Sequence, residues 1–169
     1  MTVLPAGYDP DGFILAYDGF EPSEEALREA LTSTGNGCFC TRGAAEWEEA
    51  GEIHYPGTYA HGVYNRETTI LGGRPVPNED LVTLPNWLIL QLRIEGEEPL
   101  RLGNVEVISY RHALDVRYAT VQRDLRFRDR AGRETTLRSR RFASMARMHQ
   151  AGIAWDLTPA GRRCRGAAE

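Results

Sequence analysis

The chain has 169 residues and a formal net charge of −4, with 41% hydrophobic and 26% charged residues, values of an ordinary globular protein. That length suggests one domain with a sizeable core. No apolar run approaches the roughly 18 residues of a membrane helix, and the opening MTVLPAGYDPDG lacks the basic flank and apolar stretch of a signal peptide, so a cytoplasmic protein with no membrane partner is the expectation.

Taken in order, Phe13-Ile14-Leu15-Ala16-Tyr17 reads as a first strand and Asp18-Gly19 as a turn. Ser23 then stands where a helix cap is expected, followed by Glu24 and Glu25 and by Ala26, Leu27, Ala30 and Leu31 at helical spacing. That pattern predicts one short helix to Leu31. Gly35-Asn36-Gly37 tolerates the positive φ of a sharp reversal. Cys38-Phe39-Cys40-Thr41 reads as a short buried strand closed by Arg42-Gly43, and Glu46, Glu48, Glu49 and Glu52 around Trp47 read as a solvated acidic edge.

Gly57 to Asn65, aromatic and β-branched between glycines, predicts a strand with close backbone neighbours. Residues 66–80, rich in Gly, Pro and Asn, read as loop. The apolar run 81–94 is split by Pro85, predicting a bend and then a strand over 87–94, and Val105 to Tyr110 reads as another strand. Val116 to Phe127 and Glu134 to Ser144 flank the turn Asp129-Arg130-Ala131-Gly132. Leu125 and Phe127 alternate with Arg126 and Arg128, as in a hairpin with one wet face. Short strands, one helix and no αβ alternation predict a mainly β, antiparallel sandwich.

The charge is uneven. Residues 1–100 carry 17 acidic and 5 basic side chains, residues 101–169 carry 7 and 15, and all 20 basic residues are Arg. Interleaved acids and the overall negative charge make the arginine-rich span 123–147 a pair of solvated strand faces and argue against nucleic acid as a partner. Three cysteines, an odd number, argue against a disulfide framework. Cys38 and Cys40 lack a second ligand pair, and the four histidines show no metal spacing, so no metal or cofactor is expected. Nucleophile-elbow, Walker and dinucleotide fingerprints do not occur. Tyr59, Tyr64, Trp87 and Tyr110 offer aromatic faces to a sugar ring, with core packing as the alternative use.

Four blocks carry a resemblance: GFEPSEEALREALTSTGNGCFCTRGAAE, HYPGTYAHGVYN, NEDLVTLPNWLILQLRIEGE and YRHALDVRYATVQRDLRFRDRAGRETTLRSRRFASM. Over roughly residues 13–150 the chain resembles the N-terminal domain of glycoside hydrolase family 65, the α-glucosyl disaccharide phosphorylases and hydrolases. The resemblance implies a β-sandwich of the galactose-mutarotase type, here partial, at residues 1–156; the Gly/Arg/Ala composition of residues 157–169 marks a tail expected to be disordered. In the family the catalytic acid and the phosphate or water site belong to a separate α/α barrel, so the resemblance implies no catalytic residue in this chain. Two departures stand out: Cys38 and Cys40 occupy positions where the family usually has an aromatic and a glycine, and the likeness is expected to fade after Met148-His149.

The resemblance therefore implies a non-catalytic domain of an enzyme acting on trehalose, kojibiose or maltose, with the catalytic barrel as partner. A stand-alone carbohydrate-binding or oligomerisation module is the alternative, and an enzyme acting through an unrecognised site is a third. Whether the chain is itself an enzyme is left open. An α-glucosyl disaccharide is the candidate ligand, and Asn36, Arg42, Tyr59, Asn65, Asn86 and Trp87 are the candidate contacts because their amide, guanidinium and aromatic groups suit sugar hydroxyls and ring faces. Strand edges left open by a partial sandwich predict a homo-oligomer.

Overall fold

The computed structural model describes residues 12–160. They form two antiparallel sheets, with strand orders β1-β6-β7-β8-β9 and β2-β3-β4-β5. The larger sheet contains β1 (Ile14–Asp18), β6 (Glu106–Asp115), β7 (Thr120–Arg128), β8 (Glu134–Ala143) and β9 (Ala151–Ala160). The smaller contains β2 (Thr34–Gly35), β3 (Phe39–Thr41), β4 (Thr58–Leu71) and β5 (Arg74–Leu84), and helix α1 (Pro22–Leu31) joins β1 to β2. The described residues adopt the expected mainly β sandwich with one short α-helix.

Burial on β7 and β8 alternates residue by residue, the signature of a sheet with one covered face. Leu125, Phe127 and Leu137 point inward and meet Ala45, Trp47, Leu100 and Leu102 from two irregular segments, with Tyr110 of β6 beside them. These segments, more than the second sheet, cover the core. Trp47 is the largest side chain there, in edge contact with Trp155 at 5.8 Å between ring centroids. Burying such a ring contributes about 2–3 kcal/mol in area alone.

Several expectations are corrected. Glu21, not Ser23, caps α1; its carboxylate accepts from the Ser23 hydroxyl at 2.8 Å, and Pro22 takes the first turn, where its missing N–H costs nothing. The helix is inverted relative to its apolar spacing. Glu25, Arg28 and Glu29 are buried, whereas Leu27 is 61% and Leu31 51% exposed. Residues 66–80 are not loop: they belong to the β4–β5 hairpin, closed by Gly72 and Gly73 with φ of 58° and 78°, the left-handed pair that a two-residue hairpin turn requires. Residues 87–94 form no ladder; Leu100 N–H donates to Leu92 O at 2.8 Å, making this segment a loop over the core. The expected strand start at Val116 lies in the turn between β6 and β7.

The supposed acidic edge is also divided. Glu46, Trp47 and Glu48 are buried, while Glu49 and Glu52 are exposed. Cys40 is exposed and Cys38 half-buried, since it is Thr41 that faces inward from β3. Residues 157–160 are the end of β9, and the rest of the expected tail, with Cys164, lies outside the described residues.

Candidate functional site

The Gly-Asn-Gly turn builds one wall of the site. Asn36 Oδ1 accepts from the Cys38 and Phe39 N–H groups at 2.8 and 3.1 Å, which fixes the β2–β3 reversal. Its Nδ2 reaches across to Ser144 O at 2.8 Å and Met148 O at 3.1 Å, tying the turn to the loop between β8 and β9. One side chain thus clasps two elements more than a hundred residues apart. The clasp brings His149 to Cys38, with Nδ1 3.3 Å from Sγ.

The opposite wall follows β5. Pro85 ends the strand, and Asn86 brackets the next residue but one, accepting from Leu88 N–H at 3.0 Å and donating to Leu88 O at 3.1 Å. Leu88 is buried and anchors the loop. Trp87 is thereby held with its indole N–H donating to Thr41 Oγ1 at 2.8 Å, and Thr41 in turn meets Thr58 Oγ1 at 3.2 Å. Between the walls lies a groove of about 370 Å³ lined by Phe39, Thr58, Leu84, Pro85, Trp87, His149 and Ala151. It lies where both sheets contribute: Ala151 begins β9, and Phe39, Thr58 and Leu84 come from β3, β4 and β5. An aromatic ring with its N–H already satisfied, beside an imidazole, suits the apolar face and hydroxyl rim of a small polar ligand.

Of the six residues expected from sequence, Trp87 lines the groove, while Asn36 and Asn86 position its walls. The other three lie outside its lining. Arg42 packs on α1, donating to Ala26 O at 2.8 Å with its guanidinium 4.9 Å from the Tyr55 ring centre. Tyr59, half-buried on β4, folds back over Gly57, where any Cβ would come within 2.7 Å of the phenol oxygen. Asn65 is exposed on the hairpin opposite Asp80. His149 was missed, because nothing in its sequence neighbourhood marks it; only the Asn36 clasp brings it to Cys38.

Deeper in the chain lies a second polar cluster. Arg141 pairs with Glu46 at 3.0 Å and donates to Ala44 O and to Arg42 O, while Ser139 Oγ donates to Glu46 Oε2 at 2.7 Å. Arg123 donates to Gly43 O, to Tyr110 Oη at 3.1 Å, and lies 3.3 Å from His112 Nε2. Burial works against the Glu46 carboxylate, but Arg141 and Arg123, with Ser139, outweigh it and hold its pKa below the ordinary value. Burial pushes Arg141 down to about 10 despite Glu46, and pushes the Tyr110 phenol up to about 12. His112 is driven well below the imidazole range, first by burial and then by the three surrounding arginines.

Glu25, Glu29 and His54 bring three donor atoms of cation-binding type within 4.8 Å of one another. Glu29 is already committed within the chain, its two oxygens to His54 Nδ1 and Tyr55 N–H at 2.8 Å each, and Glu25 Oε1 takes Arg28 at 3.2 Å. Glu29 thus ties helix α1 to the loop before β4 and Glu25 pairs within the helix; they do not form a solvated pair of the kind glycoside chemistry uses.

Comparison with known proteins places these features. Residues 15–166 match the family model described as glycosyl hydrolase family 65, N-terminal domain, a match that extends past His149, after which the likeness was expected to fade. An uncharacterized glycosyl hydrolase of Mycobacterium tuberculosis is 50% identical over 137 residues, 81% of this chain and 10% of that protein. A trehalose 6-phosphate phosphorylase of Lactococcus lactis is 37% identical over 62% of the chain and 14% of its own length. A kojibiose phosphorylase of Caldanaerobacter subterraneus is 33% identical over 78% and 16%. Among solved structures, a candidate kojibiose phosphorylase from the human microbiome superposes with a TM-score of 0.74 at 20% identity, over 89% of this chain and 20% of that one. The chain spans about a tenth to a sixth of the length of these curated relatives.

Proposed function

The chain belongs to the family of glycosyl hydrolase family 65 N-terminal domains, and on that premise we propose that it is the non-catalytic docking domain of a phosphorylase or hydrolase acting on an α-glucosyl disaccharide. The observation that carries this reading is the inverted helix. An isolated domain gains by turning Leu27 and Leu31 inward and its charges out; α1 does the reverse. A Leu-Leu stripe facing outward has its use when a further apolar surface, such as a catalytic barrel, closes over it. The interior supports the same division of labour, since the buried Glu46 and Glu48 are held by Arg141 and the Leu102 N–H.

The test is a calorimetric titration of the chain into the separately produced remainder of a family 65 phosphorylase lacking its own N-terminal domain. Saturable one-to-one binding that Leu27→Glu with Leu31→Glu abolishes is expected. Binding that ignores both substitutions, or none at about 100 µM, defeats the docking role.

The Trp87 groove favours a second reading, a module that holds carbohydrate by itself. Its test is tryptophan fluorescence of the chain titrated with kojibiose, trehalose, maltose and glucose. A saturable, sugar-selective change abolished by Trp87→Ala supports it; a flat trace to tens of millimolar, the weak-binding regime, removes it. Cytoplasmic location accompanies either reading as a proposal, as does association through open strand edges.

A further inference from the structure

The β4–β5 hairpin is patterned for a partner. Cross-strand neighbours share a face of a ladder, so the register sorts the hairpin into two surfaces. One carries the rungs Tyr64/Leu81, Thr68/Pro77 and Ile70/Pro75, interrupted by Arg66/Glu79; the other carries Asn65/Asp80, Glu67/Asn78, Thr69/Val76 and Leu71/Arg74. The first is mainly apolar around one ion pair and Thr68; the second is mainly polar, with Val76 and Leu71 near the turn as its apolar members. That is the binary pattern of a sheet with one face against a core, yet Tyr64 is 60%, Ile70 64% and Leu81 46% exposed. A hairpin without a covered face is only marginally stable in water.

The edge of β5 is closed to another strand. Pro75 and Pro77 lack the N–H groups that edge pairing uses, a common way of blunting an outer strand. β3 covers the other edge of the hairpin only at Thr58–Ala60, so strand pairing along β4 is the rival route, and the apolar face is the one with a pattern that a partner can read. Its one charged rung selects the occupant. Place a two-fold axis along the strands between two such faces, and β4 of one copy lies over β5 of the other. Arg66 then meets Glu79 of the second copy and Glu79 meets its Arg66, while Tyr64 covers Leu81 and Ile70 covers Pro75. The surface is complementary to itself, as an isologous contact must be.

We propose that the apolar face of the β4–β5 hairpin is the contact between two copies of this chain, packed face to face about a two-fold axis. Eight residues of strand make a face about 27 Å long, at the small end for protein interfaces, so the dimer is concentration-dependent. Sedimentation velocity of the full chain from about 5 to about 500 µM reads it directly. A monomer–dimer equilibrium is expected, abolished by Ile70→Glu, weakened at least about tenfold by Arg66→Glu, where two pairs of like charges come together, and restored by Arg66→Glu with Glu79→Arg. The restoring pair guards against a variant that has merely misfolded. A monomer throughout the range overturns the proposal, as does a dimer indifferent to Ile70→Glu, which would pair by another surface such as β9, or a reversal pair that does not recover association.

Discussion

The interior of the five-stranded sheet and the β4–β5 hairpin are built from similar residues put to opposite use. Both carry arginine–glutamate pairs, one joining β8 to the irregular segment around Glu46, the other across the hairpin rung. Arg141 and Glu46 are 1% and 0% exposed and tied to backbone carbonyls and to Ser139, whereas Arg66 and Glu79 are 73% and 50% exposed and meet mainly each other. A pair out of water needs most of its donors and acceptors answered, as Arg141 and Glu46 have with Arg141 Nε the exception, because a charge left alone there is expensive; a pair in water is screened and contributes little. Burial, not pairing, decides what such a contact does for the fold.

The comparison breaks first at Arg141. Arg141→Ala leaves Glu46 charged and buried, and a loss of about 3–5 kcal/mol is expected, read as a collapse of the urea midpoint; a change under about 1 kcal/mol would mean that water reaches the pair. Asn36→Ala removes the clasp and should cost about 1–3 kcal/mol, with faster amide exchange confined to residues 36–39 and 144–150. On the hairpin, Thr69→Ala gives up a contact with Asn78 on an exposed face and should move the midpoint by no more than about 0.5 kcal/mol.

pH sharpens the contrast. The unfolded chain protonates His112 near about 6.5; the folded chain, with its imidazole pKa driven lower, does not. Stability is therefore lost at this group as pH falls through that value. Glu25 and Glu48, raised by burial, act in the opposite sense: the folded form takes up their protons first, adding stability as pH falls towards the ordinary carboxylate range. Urea midpoints measured down to pH 5 should fall less in His112→Asn than in the parent and more in Glu25→Gln. The hairpin variants should follow the parent curve.

What could be read beforehand follows the same division. The alternation of β7 and β8 and the turn between them were legible, because period-two burial is a local signal. That alternation also contained Arg123 and Arg141: they share the inward parity of Leu125 and Leu137, yet their charge argued for solvated faces. Glu46 and Glu48 misled for the same reason, since their partners lie across the fold on β8 and at Leu102. Gly72-Gly73 between β-rich arms was a local hairpin signal, masked by Pro75 and Pro77, which an edge strand tolerates. In the groove, Trp87 stood out as an aromatic after Pro-Asn, while His149 had no local mark at all.

The carbonyl clasp on the buried arginines has a kinetic consequence. Arg123 and Arg141 are received by Arg42, Gly43 and Ala44, partners 80 to 99 positions away along the chain. The β7–β8 hairpin can zip from its own turn on the microsecond scale, in about 1–10 µs, but its guanidiniums stay hydrated until the 42–46 segment arrives. Loop closure over such distances precedes any reward for desolvating them. Refolding should therefore be limited by the docking of that segment, with the strands assembled early and the interior sealed last.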